Sequence, residues 1–198
     1  MLYADRLLAQ RLERTEARSN AAFVETRARR QPTSGAVWQE VAGAYAMFDG
    51  VDSPLTQTFG LGLFEPVGEA ELAALEGFFQ ERGAAVMHEV SPLAAAELLP
   101  LLTGRGYQPI EYTTVLYRPL TADFPAGAAG AVKARRIAAG EEQLWAQTSA
   151  AGWSSEWPGL ADFMLEFGQI SAHSAGNAPF LAELGGAAIA TGGLFMHH

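Results

Sequence analysis

Between Pro119 and Gly130 the chain reads Pro-Leu-Thr-Ala-Asp-Phe-Pro-Ala-Gly-Ala-Ala-Gly, with two prolines, two glycines and no hydrophobic period. Neither a helix nor a β-ladder runs through such a stretch, so it divides the 198-residue chain in two. The reading is a linker at residues 121–131, between a region at residues 1–120 and a second at residues 132–198. At 49% hydrophobic and 18% charged residues the chain has material for a real core. It must build that core without disulfides, because it has no cysteine. The same absence excludes thiolate zinc sites and cysteine nucleophiles, and it suits a cytoplasmic location.

Charge narrows the function. The net charge is -9, the wrong sign for a nucleic-acid groove, and the seven arginines among residues 1–30 leave the remainder strongly acidic. Residues 1–20 carry charges every few positions and no apolar run, so they do not read as an export signal. The most apolar stretch, residues 179–196, contains Glu183 and the pair Gly185-Gly186, and is read as a hairpin instead of a membrane span.

From Asp5 to Arg30 there is no Pro or Gly, and Leu8, Leu12, Phe23 and Val24 sit among charges, as in an amphipathic helix. Residues 37–48 are read as one strand and 55–64 as a second. The stripe Leu72, Leu75, Phe78 and Phe79 after Gly68 predicts a helix ending at Gly83. A short buried strand is expected at 84–90, a helix from Ala95 or Ala96 to Gly104, and a half-buried strand at 110–118, where Ile110, Tyr112, Thr114 and Leu116 point one way. Past the linker come a strand at 132–137, a helix at 141–151, a Trp-rich loop at 152–159, a helix striped by Leu160, Phe163, Met164, Phe167 and Ile170, and the hairpin. A region that stops on an apolar hairpin strand looks unfinished.

Standard catalytic patterns are mostly missing. Pro92 stands where a zinc-protease helix starting at His88-Glu89 needs its second histidine, and no serine lies in G-x-S-x-G. His88 and His173 read as surface or core histidines, and His197-His198 would point to opposite faces of a strand; no metal site is expected. Trp153, Glu156 and Trp157 could hold an amine by ring faces and charge, or the two rings could be core packing. Glu89 and Glu183 each lie on an expected strand and could take a proton through water, though Glu183 beside a hairpin turn also fits a solvated edge charge.

The segment Gly104-Arg-Gly-Tyr-Gln-Pro-Ile-Glu-Tyr-Thr-Thr-Val-Leu-Tyr-Arg-Pro-Leu120 resembles the C-terminal part of a GNAT (Gcn5-related) N-acetyltransferase domain. The preceding strand, helix, strand and helix follow the family's order. Val132 to Ile137 with Gly140-Glu-Glu-Gln-Leu-Trp145 resembles the opening of a second such domain, and Phe180 to Ala190 its second and third strands. The resemblance implies an α/β fold, a mixed twisted sheet flanked by helices, with one complete unit and the first half of another. It also implies transfer of an acetyl group from acetyl-CoA to a small-molecule or peptide amine, with Trp153, Glu156 and Trp157 near the acceptor, no membrane or nucleic-acid partner, and room for a homodimer.

The family's signature is an R/Q-x-x-G-x-G/A loop whose backbone N–H groups meet a pyrophosphate at a helix start. Gln57-Thr-Phe-Gly60-Leu-Gly62 matches literally, yet residues 63–68 separate it from the helix. Its glycines therefore also fit close strand packing. Residues 1–120 are accordingly read as a degenerate copy, with the catalytic half of the second unit expected beyond His198. A permuted or domain-swapped arrangement, in which the second region completes the first sheet, is the alternative.

Overall fold

The computed structural model describes residues 4–120, 130–155 and 157–197. The first helix, α1 (Arg6–Arg30), starts at Asp5, whose Oδ1 accepts the Leu8 N–H at 2.8 Å and so satisfies a donor that a helix start leaves open. Its last turn carries Arg27, Arg29 and Arg30, cations placed where the helix dipole is negative. Ala17, Ala21, Phe23 and Val24 form its buried face.

The stretch expected as a single strand at 37–48 is a hairpin, β1 (Val37–Val41) and β2 (Ala44–Phe48), turning at Ala42-Gly43. Both turn residues have positive φ, 49° and 74°, the conformation that suits a two-residue hairpin turn. Next to β2 runs β3 (Thr58–Phe59), much shorter than the strand expected at 55–64, because Gly60 and Gly62 take positive φ and the Leu63 N–H turns back to Gly60 at 3.2 Å. Residues 84–90 contribute only a parallel bridge, in which Thr58 donates to Met87 and accepts from Glu89. The strand expected at 110–118 is not in either sheet.

The β2 residues are all buried and face both ways. Ala44, Ala46 and Phe48 meet α2 (Glu69–Gln80) and α3 (Leu98–Gly104) through Leu72, Leu75, Phe79, Leu98 and Leu102, while Tyr45 and Met47 meet Phe23 and Val24 of α1. The first sheet is thus a middle layer between α1 and the α2/α3 pair.

Beyond the linker come β4 (Val132–Arg136), α4 (Glu142–Ser154), α5 (Ala161–Ala172), β5 (Asn177–Leu184) and β6 (Ala187–Phe195). The strands form a second antiparallel sheet in the order β4-β5-β6, and Gly185-Gly186 make the expected hairpin turn. Most of the predicted linker, 121–129, lies outside the described residues. Helices α4 and α5 approach closely at Gly168, where a Cβ would come within 3.0 Å of the Ala146 Cα. The molecule is therefore mixed α/β, with two three-stranded antiparallel sheets and five α-helices among the described residues. None of those helices is long and apolar enough to cross a membrane.

The two regions meet through α1 and α5. Phe23 and Phe167 stack at 4.4 Å, and Ile170 joins the core of Phe23, Val24, Tyr45 and Met47. At the seam the buried Arg27 donates from Nε to Asp49, which follows β2, and from Nη1 to Glu166 of α5 at 2.8 Å. Burial pushes the Asp49 carboxyl up, while Ser53 and Arg27 hold it down. Asp49→Ala leaves a buried guanidinium with the half-exposed Glu166 as its one anionic partner and a hydrogen bond to Gln31. The expected loss is about 3–5 kcal/mol, read as a lower urea midpoint.

Candidate functional site

The face of the first sheet that lies under α1 carries Glu40, Tyr45 and Phe59 in register, and the bridge at Thr58 and His88 places Glu89 beside Phe59. Above them α1 lays down Glu13 and Glu16, one turn apart. Burial pushes the Glu13 carboxyl up to about 7, a hydrogen bond with Ser91 lowers it, and the charges of Glu89 and Glu16 raise it further. Burial also raises Glu16 and Glu89, the latter with help from Glu16. The Glu13 Oε2 is buried without a partner. In this cluster burial disfavours the ionised form of each carboxyl, and like charge adds to the effect at Glu13 and Glu89.

His88 points to the other face, toward α2 and α3. Its ring lies 5.0 Å from Tyr107, and both ring nitrogens are buried without a partner among the described residues. Burial lowers it to about 4, so it is a neutral imidazole facing the core. Tyr107 donates to Glu76 at 3.1 Å and is pushed up to about 12 by burial, with the Glu76 hydrogen bond adding to the rise. His173 is exposed at the end of α5, its Nδ1 2.7 Å from the Gln169 carbonyl.

The Gln57–Gly62 loop is filled by its own neighbours. A Cβ at Gly60 would meet the Phe64 ring at 2.7 Å, one at Gly62 would meet Leu98 at 2.7 Å, and residues 59–63 are all buried. The Gly62 carbonyl accepts from Ala95, and that of Leu63 accepts from Arg6 and Gln10. This loop has no room for the phosphates of acetyl-CoA, and its residues do not fit that cofactor.

In the second region Trp153, expected in a loop at 152–159, lies in the last turn of α4, and its ring lies 6.3 Å from that of Trp157. Both rings are about half exposed, at 50% and 54%, so neither is core packing. Glu156 lies outside the described residues. A groove of about 450 Å³ runs beside them between α4 and β6, lined by Gln147, Ala151, Ser155 and Ile189 among others, but by neither tryptophan. Glu183 is engaged by Arg135 at 2.7 Å, which also grips Glu141. Arg135 and the Ala138 N–H hold Glu141 down at about 2. An ion pair on the sheet, not a free base, is therefore what Glu183 forms.

The sequence had singled out Glu89 but not Glu13, Glu16 or Ser91. The i, i+3 spacing of Glu13 and Glu16 was readable, whereas their meeting with Glu89 depends on where α1 crosses the sheet. Among the described residues no group of three His, Cys, Asp or Glu could hold a metal ion. Comparison with family models, curated proteins and solved structures finds no match.

Two outcomes follow from these geometries. Because Glu13 rises from 4.5 to about 7 on folding, the native chain keeps a proton that the unfolded chain releases between those values. Stability therefore falls as pH rises through that window. Glu13→Gln should raise the thermal midpoint by about 2–4 °C near pH 8 and leave it unchanged near pH 4. A pyrophosphate cradle of the R/Q-x-x-G-x-G/A type accepts alanine at its last position. Here Gly62 has φ 68° and Leu98 against it, so Gly62→Ala should lower stability by about 1–3 kcal/mol in urea unfolding.

Proposed function

We propose that the protein is a cytoplasmic acyl-CoA-dependent N-acetyltransferase of the GNAT kind. Residues 1–120 are a degenerate unit, and residues 132–198 are the opening half of a second unit. The observation that carries this reading is the run β4-α4-α5-β5-β6, a strand, two helices and an antiparallel hairpin pairing β4-β5-β6. The exposed Trp153–Trp157 pair at the end of α4 is the acceptor position of this reading. Two ring faces suit a cationic or neutral amine, and the acidic balance of the chain draws a cation toward it. In this reading no step is assigned to residues 57–62.

A second reading is favoured by the filled Gly60–Gly62 loop: the protein is a non-catalytic, degenerate GNAT-fold ligand-binding or dimerisation module. Thermal unfolding of the protein with increasing acetyl-CoA separates the two. Acetyltransfer requires a midpoint that climbs with ligand, by an amount equivalent to about 2.7 kcal/mol at a hundredfold excess over Kd. Trp153→Ala should leave that climb intact and weaken the amine acceptor. A midpoint indifferent to acetyl-CoA sinks the enzyme reading and leaves the module.

A further inference from the structure

The second sheet has two outer strands, and their chemistry differs. β4 carries Lys133, Arg135 and Arg136, charges of the kind that keep a sheet edge from pairing with another chain. β6 has no charged residue and no proline from Ala187 to Phe195, and no strand lies along its outer edge among the described residues. Backbone parity shows which groups that edge presents. The Pro179 carbonyl accepts from Ile137, on the β4 side, at 3.1 Å, and Pro179 stands opposite Gly193. A residue in an antiparallel ladder turns its N–H and C=O to the same side, so Pro179 and Gly193 form a non-hydrogen-bonded pair and the groups of Gly193 point away from β5. Thr191, two positions earlier in the same regular register, does likewise. The run ends at Ile189, because Ala190 faces Ala182 whereas Ala188 faces Glu183.

We infer that this edge pairs antiparallel with the same edge of a second copy, about a twofold axis at Gly192. Thr191 then stands opposite Gly193 of the second copy, and the pair exchanges both of its outward backbone bonds. The chemistry selects the occupant. An open ladder takes a strand. Self-pairing of β4 sets cations against cations, and β1, the outer strand of the first sheet, brings the carboxylate of Glu40. β6 on β6 brings no charge together, which matters in a chain of net charge -9. Gly192 leaves the axis clear, since a Cβ there would meet nothing within 4 Å, and glycine suits a place where another backbone comes close. Leu194, 50% exposed, falls opposite Ala190 of the second copy and covers it. Each copy uses the same patch, so the assembly closes at two. A ladder this short buries little area, which makes the association reversible and dependent on concentration. The inference goes beyond acetyl transfer and does not rest on it.

The chain lacks cysteine, so Gly192→Cys is a clean probe of the axis. Two Cα atoms in a non-hydrogen-bonded pair lie about 4.5 Å apart, within reach of a disulfide. Mild oxidation should give a covalent dimer, at a yield about tenfold or more above that of Ala134→Cys, an exposed position on β4. Equal yields from the two variants, or no dimer from Gly192→Cys, overturn the pairing. Sedimentation of the unaltered chain is the second measurement. Its mean mass should climb with concentration from one copy toward two and stop there, and Gly192→Lys, which sets two ammonium groups face to face, should hold it at one. A chain that stays single at every concentration, grows past two copies, or dimerises equally well with Lys at 192 refutes the inference.

Discussion

A buried cation with two anionic partners holds this structure together. Arg27 sits inside the molecule, and the cost of desolvating its guanidinium is met only because Asp49 lies on one side and Glu166 on the other. Asp49 closes the first sheet's hairpin region, Glu166 belongs to α5, and Gln31 adds a hydrogen bond to Glu166 at 2.8 Å. One side chain thus ties the first sheet to the second region. The apolar contacts around it, Phe23 on Phe167 and Ile170 in the core of Phe23, Val24, Tyr45 and Met47, join the same two regions.

Helix α1 and helix α2 were legible because long uninterrupted periods leave no other reading, and the Gly185-Gly186 hairpin because paired glycines between apolar runs need a turn. Other segments resisted for identifiable reasons. Residues 37–48 keep their apolar character straight through Ala42-Gly43, so composition conceals a turn that rests on two positive φ values. Residues 55–64 look like a strand by alternation, but close packing of Phe64 against Gly60 and Leu98 against Gly62 bends them out of the sheet. The glycines there serve packing, the plainer of the two roles the sequence allowed.

The chemistry was legible in part. Glu89 could be named from its strand, but its carboxyl is raised by burial and by the charge of Glu16, a residue separated from it by most of the first region and placed by the crossing of α1. Trp153 and Trp157 were readable as a pair, and their solvent exposure distinguishes a surface aromatic patch from core filling. Glu183 had two readings, a base or a solvated edge charge, and the structure instead gives it a part-buried ion pair with Arg135.

Arg27 and Glu166 are 139 positions apart, which has a consequence for how the chain is made. At about 5–20 residues per second, the ribosome needs roughly 7–28 seconds to deliver Glu166 after Arg27. During that interval the newborn helix can settle on its hairpin, with Asp49 as its sole anionic companion, while the Phe23 ring waits uncovered.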